Sequence, residues 1–163
     1  MKMKHDVMTP RLEPTLDVRA HVGAPIEVGN IGRGRRRIVP ILGGTCEGLD
    51  RYCGLLDGRI VPGGADWQLI RDDGLTEADA RYTLKTNRGH LVHVLNRGIR
   101  HGPPDVMTKL LAGEDVDPSL VYFCSTPTFE TAAADLQPLT RAIFVGVGER
   151  HPSEVLIRFW KVG

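Results

Sequence analysis

A few acidic, amide and phenolic side chains in this sequence have the chemistry of an acid/base site. Asp66 and Gln68 flank a tryptophan in the stretch VPGGADWQLIRDDG, residues 61–74. A carboxyl group in a partly apolar cavity has a raised pKa and can then accept or donate a proton near neutral pH. Asp66 and Glu130 are therefore the candidate catalytic carboxyls, and the hydroxyl of Tyr82 is the candidate donor to a developing oxyanion. For Glu130 the alternative is that it caps a helix beside TAAAD.

Other side chains are suited to holding a ligand. Aromatic rings stack on unsaturated molecules, although core packing is the alternative for each of them. His93 alternates with two leucines and faces inward on this interpretation, but a surface histidine is commoner. Arg97 and Arg100 in NRGIRHG could attract a carboxylate at the mouth of a barrel, and a solvated loop explains them equally well. The candidate ligand-binding residues are Trp67, Gln68, Arg81, His93, Arg97, Phe123 and Phe129.

The elements that must position these side chains are predicted to be strands. Glycines and prolines, 19 and 11 in number, divide the sequence into strand-length pieces rich in β-branched or aromatic residues. The predicted strands are LDVRAHV, RRIVPILG, YCGLLDGRIV, ADWQLIR, ARYTLKT, LVHVLN, LVYFCST, RAIFVGVG and EVLIRFWKV. This number indicates a closed barrel or a sandwich, because both remove exposed sheet edges. We expect an all-β fold, a single antiparallel β-barrel of about nine or ten strands, with DVMTKLLAG and TAAADLQ as one or two short connecting helices.

The register of one predicted hairpin decides which side chains share a face. Side chains alternate across a strand, and DDGLTEAD reads as the turn between ADWQLIR and ARYTLKT. If the apolar faces coincide, Trp67 and Leu69 lie beside Tyr82 and Leu84. The polar face then carries Asp66, Gln68, Arg81, Thr83 and Lys85. That face is either solvated, as in a sandwich, or turned into a barrel lumen, and the glycines at 63–64 indicate a bulge at its mouth.

The bulk properties fit one ordinary globular domain. The chain has 163 residues, 41% hydrophobic and 25% charged, which favours a single domain over residues 1–163 with a loose segment at 1–10. Three widely spaced cysteines fit reduced thiols in a cytoplasmic protein better than a disulfide framework. No stretch approaches the roughly 18 apolar residues of a membrane span, so we expect no membrane association.

Two classes of site are disfavoured. His90 and His93 are three positions apart, which on a strand places them on opposite faces, so we expect no metal ion. The arginine-rich run GRGRRR at 32–37 could contact phosphates, but the net charge is only +1 and no aromatic residue interleaves the run. We therefore expect no nucleic-acid partner.

An ordered set of short motifs spans nearly the whole chain. PGGADWQ, DARYTL, NRGIRHGP, FET and FVGVGER, with GRRRIVPILGG before them and VLIRFWKV after, make the sequence similar to the domain of unknown function 3237 family. The resemblance implies a single β-barrel with a central cavity, no metal or organic cofactor, and no established activity. Cys124 stands where the family has an arginine, so an anion-binding role is not carried over to that position. The family's polar signature is matched by Asp66, Trp67, Gln68, Asp79, Arg81, Tyr82 and Glu130.

Three functions are compatible with these observations. The leading hypothesis is a cofactor-independent enzyme that acts on a small organic molecule in the barrel by acid/base chemistry, such as isomerisation, dehydration or cyclisation. The rival is a non-catalytic protein that binds or carries a small molecule in the same cavity. The third is an interaction module whose barrel is filled by its own side chains. An exposed edge strand could in addition mediate a homo-oligomer.

Overall fold

The structure is a computed structural model, and it describes residues 7–163. Residues 1–6 of the expected loose segment lie outside the described residues, and residues 7–10 are exposed and without regular secondary structure. Within the described range the chain is almost entirely strands, as predicted. The strands are β1 (Leu12–Val22), β2 (Ile26–Asn30), β3 (Arg35–Gly48), β4 (Gly58–Ile70), β5 (Thr76–Thr86), β6 (Leu91–His101), β7 (Tyr122–Thr131), β8 (Ile143–Arg150) and β9 (Glu154–Val162).

The strands close into an antiparallel barrel. Their order is β1-β9-β8-β7-β6-β5-β4-β3, and β1 pairs with β3 to complete the circle. Eight strands form the barrel and β2 adds to one end of β3, which makes nine strands among residues 7–163. The predicted all-β barrel is confirmed, and the alternative of a sandwich is not what forms, because no edge remains between β1 and β3.

Two strand predictions differ from the structure. YCGLLDGRIV and ADWQLIR were predicted as separate strands, but their strand residues belong to the single strand β4. A register shift between Val61 and Ala65 keeps β4 paired with β5 on both sides of the glycine pair, so the predicted bulge is present. The short strand β2 was not predicted, since IEVGN has no clear alternation of apolar residues.

Connecting segments close the two ends of the barrel. Two 3-10 segments, Asp50–Tyr52 and Ala134–Arg141, follow β3 and β7 at one end, where they supply buried Tyr52, Leu136 and Leu139 to the apolar core. The single α-helix of the described chain, α1 (Pro104–Leu111), follows β6 at the opposite end. Among residues 7–163 no helix is both long and apolar enough to cross a bilayer.

The core fills only one end of the barrel. Leu16, Leu84, Val92, Phe129 and Phe159 are almost fully buried there. Toward the α1 end the inner faces of β5 and β6 instead carry small or polar residues, among them Ala78, Ala80, Asn96 and Gly98. These two strands thus each have a segment that packs in the core and a segment that leaves space.

Closure of the barrel depends on a glycine in β3. Gly44 pairs with Ala20 of β1 and has φ +139°, and a side chain there would begin 2.0 Å from the carbonyl oxygen of Arg19. Only glycine combines this backbone conformation with such a close approach.

We predict that Gly44→Ala destabilises the protein by more than about 3 kcal/mol, because the backbone strain adds to a clash with Arg19. Gly29→Ala is the matched control, since Gly29 also has positive φ, +105°, but meets no atom within 4 Å. The control is expected to lose only about 1 kcal/mol. Urea unfolding followed by circular dichroism measures both, and equal losses would contradict the role of Gly44 in closure.

Candidate functional site

An internal cavity lies in the barrel at the α1 end. All eight barrel strands contribute to its lining, which is mainly apolar, with Val18, Ile41 and Ile157 among the apolar residues. The polar residues that line it are Asp66, Gln68, Tyr82, Asn96, Arg100, Ser125 and Arg150. Its free volume is about 40 Å³.

Small residues at four inner-face positions leave room for the cavity. Ala20 in β1, Ala78 and Ala80 in β5 and Gly98 in β6 all line it. Ala80 lies between Asp66 of β4 and Asn96 of β6 in the cross-strand register. Residues with larger side chains at these positions would fill the space between the polar groups of β4 and those of β6.

Asp66 is held in place by one donor from its own strand, β4, and one from the neighbouring strand β5. Its Oδ2 accepts a hydrogen bond from Nε2 of Gln68 at 2.6 Å, and its Oδ1 accepts one from the backbone N–H of Asp79 at 2.9 Å. The Oε1 of Gln68 accepts in turn from Nε of Arg37 at 2.9 Å. This chain fixes the amide orientation of Gln68 and connects the Asp66 carboxylate to a buried guanidinium.

Burial raises the pKa of Asp66 above its ordinary 3.8. The loss of hydration outweighs the opposing effects of the Gln68 and Asp79 hydrogen bonds and of the positive charges of Arg100 and Arg37. Two hydrogen bonds use about half of the acceptor capacity of a carboxylate. Asp66 therefore has both a shifted proton affinity and free lone pairs, the properties of a proton acceptor for a bound molecule.

Arg100 is the most deeply buried charged residue of the described chain. Only 2% of its surface is exposed, and its guanidinium lies 5.4 Å from the ring centre of Phe123. Burial lowers the pKa of Arg100 to about 10, which leaves it protonated at neutral pH. Its Nε and Nη2 have no hydrogen-bond partner among the described residues.

Three further buried polar groups are without a hydrogen-bond partner in the described part of the chain. They are the hydroxyls of Tyr82 and Thr76 and Oδ1 of Asn96. Burial also raises the pKa of Tyr82, so that its hydroxyl stays protonated and can donate. Buried polar groups are normally paired, and several unpaired ones around one cavity are typical of a binding site rather than of a packed core.

The predicted grouping of the hairpin faces is wrong. Asp66 pairs with Ala80 and shares the interior with Tyr82, whereas Trp67 and Arg81 point outward. The prediction had placed the apolar residues of the two strands together on one face and the polar residues on the other. The barrel instead turns a polar group inward, where Gln68 and a backbone N–H satisfy it.

Trp67, Arg81 and Arg97 form part of an outer surface. The Arg81 guanidinium lies 5.9 Å from the ring centre of Trp67 and pairs with Asp79 at 3.3 Å. Arg97 lies 3.7 Å from the same carboxylate, and not at the mouth of the cavity. These three predicted ligand-binding residues therefore lie on the opposite side of the barrel wall from Asp66.

Glu130 and His93 are also outside the barrel. Glu130 is an exposed residue of β7 rather than a helix cap, and it lies opposite His93 of β6 in the register. His93 contacts the hydroxyl of Thr83 at 3.3 Å on that outer face. The predicted partnership of Asp66 and Glu130 is thus wrong, because the inner positions of β7 are occupied by Phe129 and its alternate neighbours.

The two predicted phenylalanines have different surroundings. Phe123 lines the cavity beneath Arg100. Phe129 packs edge-on against Phe144 and Phe159, with ring centres 5.0 and 5.9 Å away, and belongs to the core. Phe129 thus has the core-packing position that was the alternative to ligand contact.

Sequence reasoning missed most of the interior cations. Arg37 was considered as part of an arginine-rich run, Arg100 was placed either at the mouth of a barrel or in a solvated loop, and Arg150 was given no role. The alternation in β6 was misassigned because Leu91 and Ile99 are exposed outer residues while the even positions face inward. Side chains alternate between the two faces of a regular strand. Arg100 lies an even number of positions after buried Val94, so the alternation would have placed it on the inner face.

A second pocket adjoins the cavity at the α1 end. Its free volume is about 180 Å³, and Val22 and Arg150 line both the pocket and the cavity. Arg37 lines it as well and donates from Nη1 to the carbonyl oxygen of Leu111 at 3.4 Å. Residues 7–163 contain no cluster of three or more potential metal ligands.

Tyr82→Phe is predicted to leave stability unchanged or to raise it by about 1 kcal/mol, because the hydroxyl makes no protein hydrogen bond within the described chain. Thr15→Val is the matched control, since the Thr15 hydroxyl is buried and bonds to Glu13 and Lys161. The control should lose about 1–3 kcal/mol. Chemical denaturation of both variants is the measurement, and an equal loss in Tyr82→Phe would show that its hydroxyl is paired.

Comparison with known proteins gives relatives of the same size and fold. The chain is 42% identical over 152 residues to UPF0311 protein RPA1785 of Rhodopseudomonas palustris, covering 92% of this chain and 96% of that protein. The crystal structure of RPA1785, a conserved protein of unknown function, has a TM-score of 0.89 at 38% identity and covers 96% of this chain and 100% of its own.

Two further solved structures share the barrel. A β-barrel-like protein of Acinetobacter baumannii (ABAYE2633) has a TM-score of 0.83 at 34% identity, over 98% of this chain and 100% of the other. An enzyme of Penicillium herquei has a TM-score of 0.71 over 99% and 100% of the two chains, and at 16% identity it shows the shared fold alone. The family model described as protein of unknown function (DUF3237) matches residues 10–162. The family expected from the motifs is thereby confirmed, and the chain belongs to the DUF3237 family.

Proposed function

We propose that this protein is a cofactor-independent enzyme that acts on a small organic molecule by acid/base chemistry such as isomerisation, dehydration or cyclisation. The observation that carries the proposal is the position of Asp66. Its carboxyl lines an enclosed, largely apolar cavity in which burial raises its pKa. Such carboxyls are concentrated at catalytic sites, because proton transfer requires a pKa near the working pH.

The groups around Asp66 supply the rest of a proton-transfer site. Asp66 takes a proton from a carbon next to a carbonyl group of the substrate. The negative charge that develops on the carbonyl oxygen is stabilised by the Tyr82 hydroxyl and by the field of Arg100, both of which line the cavity. Asp66 then returns the proton to another carbon, or to a hydroxyl that leaves as water. The reaction needs no oxidant or reductant.

The cavity volume limits what can enter. About 40 Å³ of free space holds roughly three water molecules or a group of a few heavy atoms. The reactive part of the substrate occupies this space, and the adjoining pocket against α1 takes the remainder. A barrel filled entirely by its own side chains would have no unpaired donors around a space of this kind.

The apolar lining favours a second candidate function, a protein that binds or carries a small molecule without changing it. It uses the same cavity, so the two are separated by chemistry: a bound molecule recovered unchanged after long incubation supports the carrier. A cytoplasmic location is part of the proposal, and the three free cysteines support it. A homo-oligomer stays a prediction.

We expect the wild-type protein to accelerate hydrogen–deuterium exchange at the carbon next to the carbonyl in at least one of butanone, levulinate and 2-oxobutanoate, measured by proton NMR in D₂O. Asp66→Asn should slow the catalysed exchange by about 100-fold or more, because the amide cannot accept the proton. Glu130→Gln, on the outer face, should retain the wild-type rate. Exchange in Asp66→Asn at the wild-type rate, or no acceleration of any probe, would contradict the proposal.

A further inference from the structure

The interior of the barrel holds more positive than negative charge. Two arginines, Arg100 and Arg150, line the cavity against one carboxylate, Asp66. Arg37 lies directly behind it, bonded to Asp66 through Gln68. In addition to burial, the charges of Arg37 and Arg150 lower the pKa of Arg100, and the charge of Arg37 lowers the pKa of Arg150, so the three arginines lie close enough for their charges to interact. In the described part of the chain no second acidic residue lines the cavity.

Asp66 does not neutralise Arg100 by direct contact. Both oxygens of Asp66 accept from other donors, the Gln68 amide and the Asp79 backbone. Nε and Nη2 of Arg100 have no hydrogen-bond partner within residues 7–163. A buried guanidinium without partners is costly, so an arginine kept in this state is one arranged for a ligand.

The free atoms of Arg100 are the pair that grips carboxylates. Nε and Nη2 point to the same side of the guanidinium and form two parallel hydrogen bonds with a carboxylate. In Arg158 the same pair of atoms donates to the two carboxylate oxygens of Asp17, at 2.7 Å each. It also holds Asp79 from Arg81, at 3.3 Å on each side. The ring of Phe123 lies beside the Arg100 guanidinium, which limits its rotation.

We propose that the cavity is a carboxylate site, and that the substrate is a small organic acid whose carboxylate is held by Nε and Nη2 of Arg100. Arg150 and Arg37, which line the adjoining pocket, attract the anion toward the interior. The proposal rests on the proposed function, because it names the substrate class of the same site. It places the reactive carbon of the acid between Arg100 and Asp66.

The test compares propanoate with propanamide, which has nearly the same shape and no charge. Thermal unfolding and isothermal titration calorimetry of the full-length protein measure binding of each. Arg100→Met removes the charge, and Arg97→Met is its matched control on the outer face of the same strand. Arg100→Lys keeps the charge without the two-pronged geometry. Ala80→Leu fills the cavity and leaves every charge in place, so it remains informative if an Arg100 variant fails to fold.

Propanoate is expected to bind the wild-type protein and Arg97→Met, and propanamide at least tenfold more weakly. Arg100→Met and Ala80→Leu should each raise the dissociation constant for propanoate at least tenfold, with Arg100→Lys in between. Equal binding of acid and amide, undiminished binding in Arg100→Met or Ala80→Leu, or equal stabilisation by chloride or inorganic phosphate would overturn the proposal. Asp66→Asn separates the two proposals, because it should abolish deuterium exchange while retaining propanoate binding.

Discussion

The removal of the Asp66 carboxyl from water is the constraint on which the site depends. An isolated carboxylate is too costly to bury, so each of its contacts has to be supplied by the fold. Gln68 donates to one oxygen and the Asp79 backbone to the other, and nearby arginines balance the charge. The result is a carboxyl that is held firmly and yet remains free to accept one further proton from a bound molecule.

The barrel provides this arrangement by dividing its interior along its length. At one end, aromatic and aliphatic side chains such as Phe129 and Leu84 pack densely and supply the stability. At the other end, the small residues Ala78, Ala80 and Gly98 leave space among polar groups. Tyr82 lies at the boundary and belongs to both regions. The stability of the packed end can thus offset the free-energy cost of the unpaired polar groups at the other end.

Much of the architecture follows from local sequence patterns. Regularly spaced turn residues and β-branched runs predicted the barrel, and the glycine pair at 63–64 predicted the bulge in β4. The interior position of Asp66 was one of two alternatives, because the face that it shares with Gln68 could equally have been solvated. The faces of the partner strands were not predicted correctly, because matching apolar faces is a poor guide when the interior itself is polar. That assumption grouped Arg81 with Asp66, whereas Arg81 lies on the outer face of β5. Arg100, which had been placed at the barrel mouth or in a solvated loop, belongs to β6 and lines the cavity.

The sequence alone does not show which residues of distant strands lie side by side in the sheet. By residue type alone, Glu130 is as suitable for proton transfer as Asp66. In β7, however, Phe129 is buried in the core and the next residue, Glu130, lies on the outer surface. Arg37 and Arg150 become part of the site only because distant strands meet at the same end of the barrel. The cations that define the chemistry of the cavity are therefore visible only after the barrel has closed.

Titration of the Asp66 side chain by carbon NMR, with the Asp66→Asn variant used for assignment, tests the central claim most directly. The account predicts a carboxyl whose pKa lies above the ordinary 3.8. The pKa should rise further when propanoate occupies the cavity, since a second negative charge opposes ionisation. A pKa at or below the ordinary value that does not respond to propanoate would contradict the account of a water-poor site built around this group.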